Sequence, residues 1–165
     1  MKKKKRPEIP KGYHPRFECW FDGCCEPVNP GGTASYGAVI FENGERVWQC
    51  SEIFYPVSGR EKETSNNVAE YAGFLSILNY FIAHEQTGAA ILVHGDSKLV
   101  IEQCFGTWRV KKGHYVPLAK EAREKIKRFR QLVGKWIPRE ENGIADELSK
   151  AELIKAGVEF RIQPN

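Results

Sequence analysis

Asp22, Glu70, Asp96 and Asp146 are carboxylates set in runs of small and amide residues, each where an apolar stretch ends or a helix begins. Acidic side chains are normally solvated, so acids at the ends of core elements call for a partner that offsets their removal from water. A hard cation held by oxygen ligands is the simplest such partner. The pattern therefore reads as one divalent-metal site. Without cations, four crowded carboxylates would oppose one another's ionisation.

The elements that must carry these acids follow from periodicity. From Phe17 the residues alternate, with Phe17, Cys19 and Phe21 on one face and Glu18, Trp20 and Asp22 on the other, which predicts a strand closed by Asp22. A loop rich in Gly, Pro and Asn follows, then strands over 35–42 and 46–54 joined at Asn43-Gly44, a strong hairpin signal. Thr64 or Ser65 caps a helix whose apolar residues Val68, Tyr71, Ala72, Leu75, Leu78 and Ile82 recur at helical spacing, with Glu70 off that stripe. Residues 89–94 form a short apolar run ending in Gly95-Asp96, as expected of a strand buried on both faces. Helices are predicted over 97–104 and 117–132, a fifth strand over 135–137, and a last helix capped by Asn142 that carries Ile144, Leu148 and Ala151. The order β-β-β-α-β-α-α-β-α predicts an α/β fold with a five-stranded mixed sheet and helices on both faces. In open sheets of this kind ligands gather at the carboxyl ends of strands, where Asp22 and Asp96 are expected to lie.

A chain of 165 residues with 41% hydrophobic and 12% aromatic content makes one ordinary domain, expected over 17–165. Residues 1–16 read as a basic, flexible N-terminal arm, with Lys2 to Arg6 supplying much of the net charge of +4. Such a run serves as a solvated tail, a nuclear-import signal or an electrostatic tether to nucleic acid. No apolar stretch reaches the length of a membrane span and no secretory signal is evident, so a cytoplasmic protein without membrane contact is expected. The five cysteines, with Cys24 and Cys25 adjacent, fit neither a disulfide framework nor a zinc pattern and read as reduced packing residues.

Four stretches resemble type 1 ribonuclease H: residues 21–40 (FDGCCEPVNPGGTASYGAVI), 65–73 (SNNVAEYAG), 95–103 (GDSKLVIEQ) and 141–149 (ENGIADELS). The resemblance runs in order from about residue 17 to 154, and each acid falls in one of these motifs. It implies a ribonuclease H-like fold in which Asp22, Glu70, Asp96 and Asp146 are the catalytic acids and bind two Mg²⁺ ions, with Mn²⁺ as a substitute. It further implies hydrolysis of the RNA strand of an RNA/DNA hybrid, leaving 5′-phosphate and 3′-hydroxyl ends, by a protein expected to be a monomer. Discrimination for ribose must use the 2′-hydroxyl, and the resemblance places Gly23, Cys24, Cys25 and Asn29 beside it. Asn66 and Asn67 match paired amides that reach minor-groove edges, and Ser65, with Lys62 near it, matches a pocket for a DNA-strand phosphate.

The chain departs from that family pattern in four places, one being Glu63, which stands near a position where some members have a basic residue of the phosphate pocket. The loop before the last acid, Pro138 to Asn142, lacks the histidine that many members carry there, and Arg139 is the expected substitute, able to hold a phosphate but not to act as a base. A long basic insertion is also missing; Trp108, Lys111 and Lys112 are the candidate strand-binding residues in its place. Pro27-Val28 lengthens the loop before Asn29. Two further readings share the fold: a non-catalytic nucleic-acid-binding module, and a resolvase-type nuclease.

Overall fold

In a computed structural model, which describes residues 9–163, the described residues form five strands and four α-helices. They are β1 (Phe17–Glu26), β2 (Thr33–Glu42), β3 (Glu45–Ile53), α1 (Asn66–Ala83), β4 (Ala90–Gly95), α2 (Lys98–Cys104), α3 (Val116–Ile126), β5 (Gln131–Trp136) and α4 (Gly143–Lys155). The five strands lie in the order β3-β2-β1-β4-β5. Strands β1 to β3 are antiparallel; β4 runs parallel to β1, and β5 parallel to β4. Asn43 and Gly44 both take positive φ in the β2–β3 turn (49° and 87°), as a two-residue turn between twisted strands requires.

Glycines set the two layers of helix against the sheet. Gly23 faces α1, and a Cβ there would lie 2.3 Å from the Ala69 carbonyl carbon. Gly37, paired with Asp22 and so on the opposite face, meets α4, where a Cβ would lie 2.5 Å from the Ser149 nitrogen. Helix α1 thus covers one face and α4 the other, each with backbone against backbone at one point. The main core lies under α1, where Phe17, Phe21, Phe74 and Phe81 pack edge-on or tilted with Ile77, Leu78 and Ile91. A buried polar chain joins α1, α2 and α3: Tyr71 donates to Gln103 Oε1 at 2.7 Å, and Gln103 Nε2 donates to the Tyr115 hydroxyl at 3.1 Å. Every polar tip in that chain has a partner, as burial demands.

The structure corrects three expectations. Asp22 does not close β1 but lies inside it, because pairing with β2 continues to Glu26 after pairing with β4 stops at Phe21. Helix α3 ends at Ile126 rather than 132, since β5 starts at Gln131 to pair with the whole of β4, a register that outweighs the helical spacing of residues 127–132. Asn142 occupies the N-cap position of α4, yet its side chain caps nothing; Nδ2 donates instead to the Phe21 carbonyl at 2.9 Å.

Residues 1–8 of the expected basic arm lie outside the described residues. Within its remainder, Tyr13 donates to the Gln131 carbonyl at 2.7 Å and the Arg16 amide donates to Ala90 at 2.9 Å, so both are tied to the sheet. Cys19 and Cys25 are buried and the other three cysteines half-buried, all as free thiols. Among the described residues no helix is long and apolar enough to cross a membrane.

Candidate active site

A fork in the sheet builds the site. Beyond the Phe21–Gly95 pair, β1 stays with β2 and parts from β4. Asp22 is the first residue of β1 past that pair, and Asp96 is the first past β4. Glu70 comes from the first turns of α1, whose start is fixed by Ser65, its hydroxyl accepting from the Val68 amide at 3.1 Å. Carboxylate oxygens of Asp22, Glu70 and Asp96 all lie within 4.8 Å of one another. Asp146, in the first turn of α4, lines the same cleft of about 760 Å³ but is not within that triad; it pairs with Lys150 at 3.0 Å.

Electrostatics show what the triad lacks. Burial raises the Asp22 carboxyl well above the usual range, with Asp96 and Glu70 adding repulsion, against one hydrogen bond from the Gly23 amide at 2.8 Å. Glu70 is pushed up to about 7, first by burial and then by Asp96, although the Ser97 hydroxyl and Arg139 favour its ionised form. Asp96 is raised by burial too, partly offset by Asn142 and Arg139. Three converging acids that resist ionisation fit a divalent cation, which supplies the missing positive charge and requires only oxygen ligands.

That arrangement fixes a pH dependence. Glu70 carries a higher pKa folded (about 7) than the ordinary 4.5, so between these values the folded protein binds more protons than the unfolded chain. Stability without divalent cation therefore falls as pH rises through that window. Melting in chelator should show a drop from about pH 5 to about pH 8 that is smaller in Glu70→Gln. Added Mg²⁺ should restore stability near pH 8 and do little near pH 5, where protons compete for the ligands.

The other sequence-predicted residues separate into three groups. Gly23, Cys24, Asn66 and Arg139 line the acid cleft. Around them, the Asn66 side chain accepts from the Cys25 amide at 2.8 Å and the Asn66 amide donates to Asn29 Oδ1 at 3.0 Å, which stitches the lengthened loop to α1. Cys25 is fully buried, its carbonyl accepting from Arg161 Nη2 at 2.9 Å, while the Cys24 thiol turns toward α4 and lies 3.4 Å from the Ser149 carbonyl. Asn67 is exposed on α1. Trp108, Lys111 and Lys112 stand apart: with Leu99, Gln103 and Tyr115 they line a separate hollow of about 660 Å³, and Trp108 is exposed rather than packed.

Several cleft residues escaped the sequence reading. Trp136 ends β5, donates from Nε1 to the Asp96 carbonyl at 3.1 Å and carries Lys98 Nζ over its ring at 4.8 Å. Its place at the carboxyl end of a parallel strand is a signal that could have found it. Glu26, Lys150 and residues 160–163 also line the cleft; Glu26 lies in the stretch 21–40 but was not singled out there, and the others fall outside every quoted motif.

Comparison with known proteins agrees with this fold. The model of the reverse transcriptase-like family matches residues 20–152. Bifunctional protein Rv2228c of Mycobacterium tuberculosis is 36% identical over 130 residues, which is 78% of this chain and 33% of that protein, so the chain spans about a third of the length of this relative. Among solved structures, LC11-RNase H1 in complex with an RNA/DNA hybrid is 31% identical, with a TM-score of 0.71 over 85% of this chain and 98% of that one. RNase H1 from the archaeon Halobacterium salinarum has a TM-score of 0.71 at 26% identity, over 85% and 98% of the two chains.

Proposed function

Because the chain belongs to the reverse transcriptase-like family, with type 1 ribonuclease H structures among its neighbours, we propose that it is an endonuclease cutting the RNA strand of RNA/DNA hybrids. The products are 5′-phosphate and 3′-hydroxyl ends. The observation that carries the reading is the convergence of Asp22, Glu70 and Asp96 at the sheet fork, beside a cleft that Asp146 also lines.

Asp22, Glu70, Asp96 and Asp146 are the residues that would hold two Mg²⁺ ions, or Mn²⁺ in their place. When bound, such ions lower the pKa of water and neutralise charge on the attacking and leaving oxygens. The protein's part is placement. The fork holds Asp22 and Asp96 on separate strands, and the Ser65-capped start of α1 brings Glu70 between them. Asn142 ties the start of α4, and with it Asp146, to the β1 backbone one residue before Asp22. The strip from Gly23 to Asn29 faces the ribose, where backbone groups read the 2′-hydroxyl, with Asn66 and Asn67 at the minor-groove edges and Ser65 at a DNA-strand phosphate. Trp108, Lys111 and Lys112 extend the contact by charge and stacking, outside the acid cleft. Arg139 holds a phosphate near the acids and, as an arginine, serves no general-base role.

Arg139→Ala should raise KM by about tenfold and lower kcat less, the loss of one charge-assisted contact. Unchanged kinetics in steady-state cleavage would remove Arg139 from the site. The function itself is tested with labelled RNA/DNA hybrid, double-stranded RNA, double-stranded DNA and a four-way junction, each with Mg²⁺, Mn²⁺ or chelator. Metal-dependent cutting of the RNA strand of the hybrid is expected. Hybrid binding without cutting would indicate a binding module, and junction cutting a resolvase.

A further inference from the structure

The acid cleft has a wall built from the segment that follows α4. Phe160, Arg161, Ile162 and Gln163 line it, brought there by Arg161. The Arg161 amide donates to Glu26 Oε2 at 3.1 Å, its Nε donates to the same oxygen at 3.0 Å, and its Nη2 reaches the Cys25 carbonyl at 2.9 Å and Glu26 Oε1 at 3.4 Å. Glu26 is the last residue of β1, the strand that carries Asp22, and its side chain is only 14% exposed. Arg161 is 46% exposed.

This is an arginine held in one orientation. A planar guanidinium gripped along one edge by a carboxylate and a carbonyl keeps its remaining N–H groups aimed in a fixed direction. Nη1 has no partner among the described residues. Glu26 uses both its oxygens on Arg161, so the outward face of the pair is a donor face. Little rotamer entropy is left to lose when an anion arrives. The anion at hand is set by position, since the Cys25 backbone belongs to the strip that, in the function proposed above, faces the ribose.

We propose that Arg161 is a phosphate-binding residue for the RNA strand, held ready by Glu26, and that the segment after α4 is a working wall of the substrate cleft. The inference rests on the proposed hybrid-binding reading, and binding is measured separately from cutting so that the two fail separately.

Fluorescence anisotropy of a labelled RNA/DNA hybrid in chelator, at several salt concentrations, is compared for the full chain and for Arg161→Ala, Arg161→Lys and Glu26→Gln, beside steady-state cleavage in Mg²⁺. Arg161→Ala should weaken Kd and raise KM by about tenfold, with a smaller effect on kcat. It should also flatten the slope of log Kd against log salt by about 0.9, the release expected of one phosphate contact. Arg161→Lys should keep the salt slope but lose part of the affinity, and Glu26→Gln should lose affinity while keeping the slope. Melting curves identify any variant that has not folded, and Arg161→Lys keeps the test open if the alanine variant does not fold. Unchanged Kd and slope in Arg161→Ala overturn the proposal. Tighter binding overturns it as well, because the segment would then be a cover that substrate displaces. A parent chain that binds hybrid without cutting it overturns the catalytic reading alone, and the salt slope still decides Arg161.

Discussion

Asp22→Asn is expected to abolish turnover and to stabilise the fold at once. Asp22 is the most buried of the converging acids, and burial, Asp96 and Glu70 all oppose its charge. Asparagine keeps the oxygen that accepts from the Gly23 amide, so the local backbone has no reason to move. It removes the anionic ligand, however, and kcat should fall by at least about 10³-fold, as when charge stabilisation at a reacting phosphate is lost. Without divalent cation the melting temperature should rise, by about 2–4 °C for each kcal/mol of repulsion relieved in a domain of this size. The increment that Mg²⁺ adds to the parent protein should shrink in the variant. Single-turnover cleavage and calorimetry with and without chelator measure both effects. Full turnover, or a variant less stable than the parent in chelator, would contradict this assignment.

Gly23→Ala is the second large effect, and it acts through packing. A Cβ at this position would lie 2.3 Å from the Ala69 carbonyl carbon, 2.4 Å from the Glu70 nitrogen and 2.7 Å from Ala69 Cβ. Two of these atoms are helix backbone, which no rotamer change can clear, so α1 must move off the strand. The strain should cost about 3 kcal/mol or more in urea unfolding. Because Glu70 is on the displaced turn, activity should fall further than stability requires, by about 10²-fold for a shift near 1 Å. Gly88→Ala is the matched control: a Cβ there meets nothing within 4 Å, and stability should be close to that of the parent. A Gly23→Ala protein with parental stability would mean that α1 is not seated as described.

The difference between what was and was not readable in the sequence follows from the range of each signal. The Asn43-Gly44 turn, the Ser65 cap and the apolar run before Gly95 are local patterns, and each element appears where its pattern places it. The convergence of Asp22, Glu70 and Asp96 was legible because each sits in its own motif. The position of Asp22 inside β1 was not, since alternation along one strand cannot reveal that one neighbour leaves while the other stays. Residues 127–132 keep a helical rhythm, but a parallel register with β4 over Ala90–Gly95 takes Gln131 and Leu132 into β5. Asn142 read as a cap because caps are its commonest use; only the packing of α4 on β1 turns its amide to Phe21. Glu26 and Arg161 are far apart in sequence, and nothing short of the folded chain could have paired them.

The fork also shapes the hydrogen bonding of the backbone around the acids. Where β1 and β4 part, the carbonyls of Phe21, Gly95 and Asp96 take partners outside the β1–β4 ladder. Each is taken: Phe21 by Asn142 Nδ2, Gly95 by the Ile137 amide at 3.0 Å and Asp96 by Trp136 Nε1. With these three engaged, the backbone on both sides of the fork is held, and the carboxylates of Asp22, Glu70 and Asp96 are the anionic oxygens that converge there. The hydrogen bonds that finish the sheet thus also brace the two strand ends that carry Asp22 and Asp96, so their separation is set by the sheet.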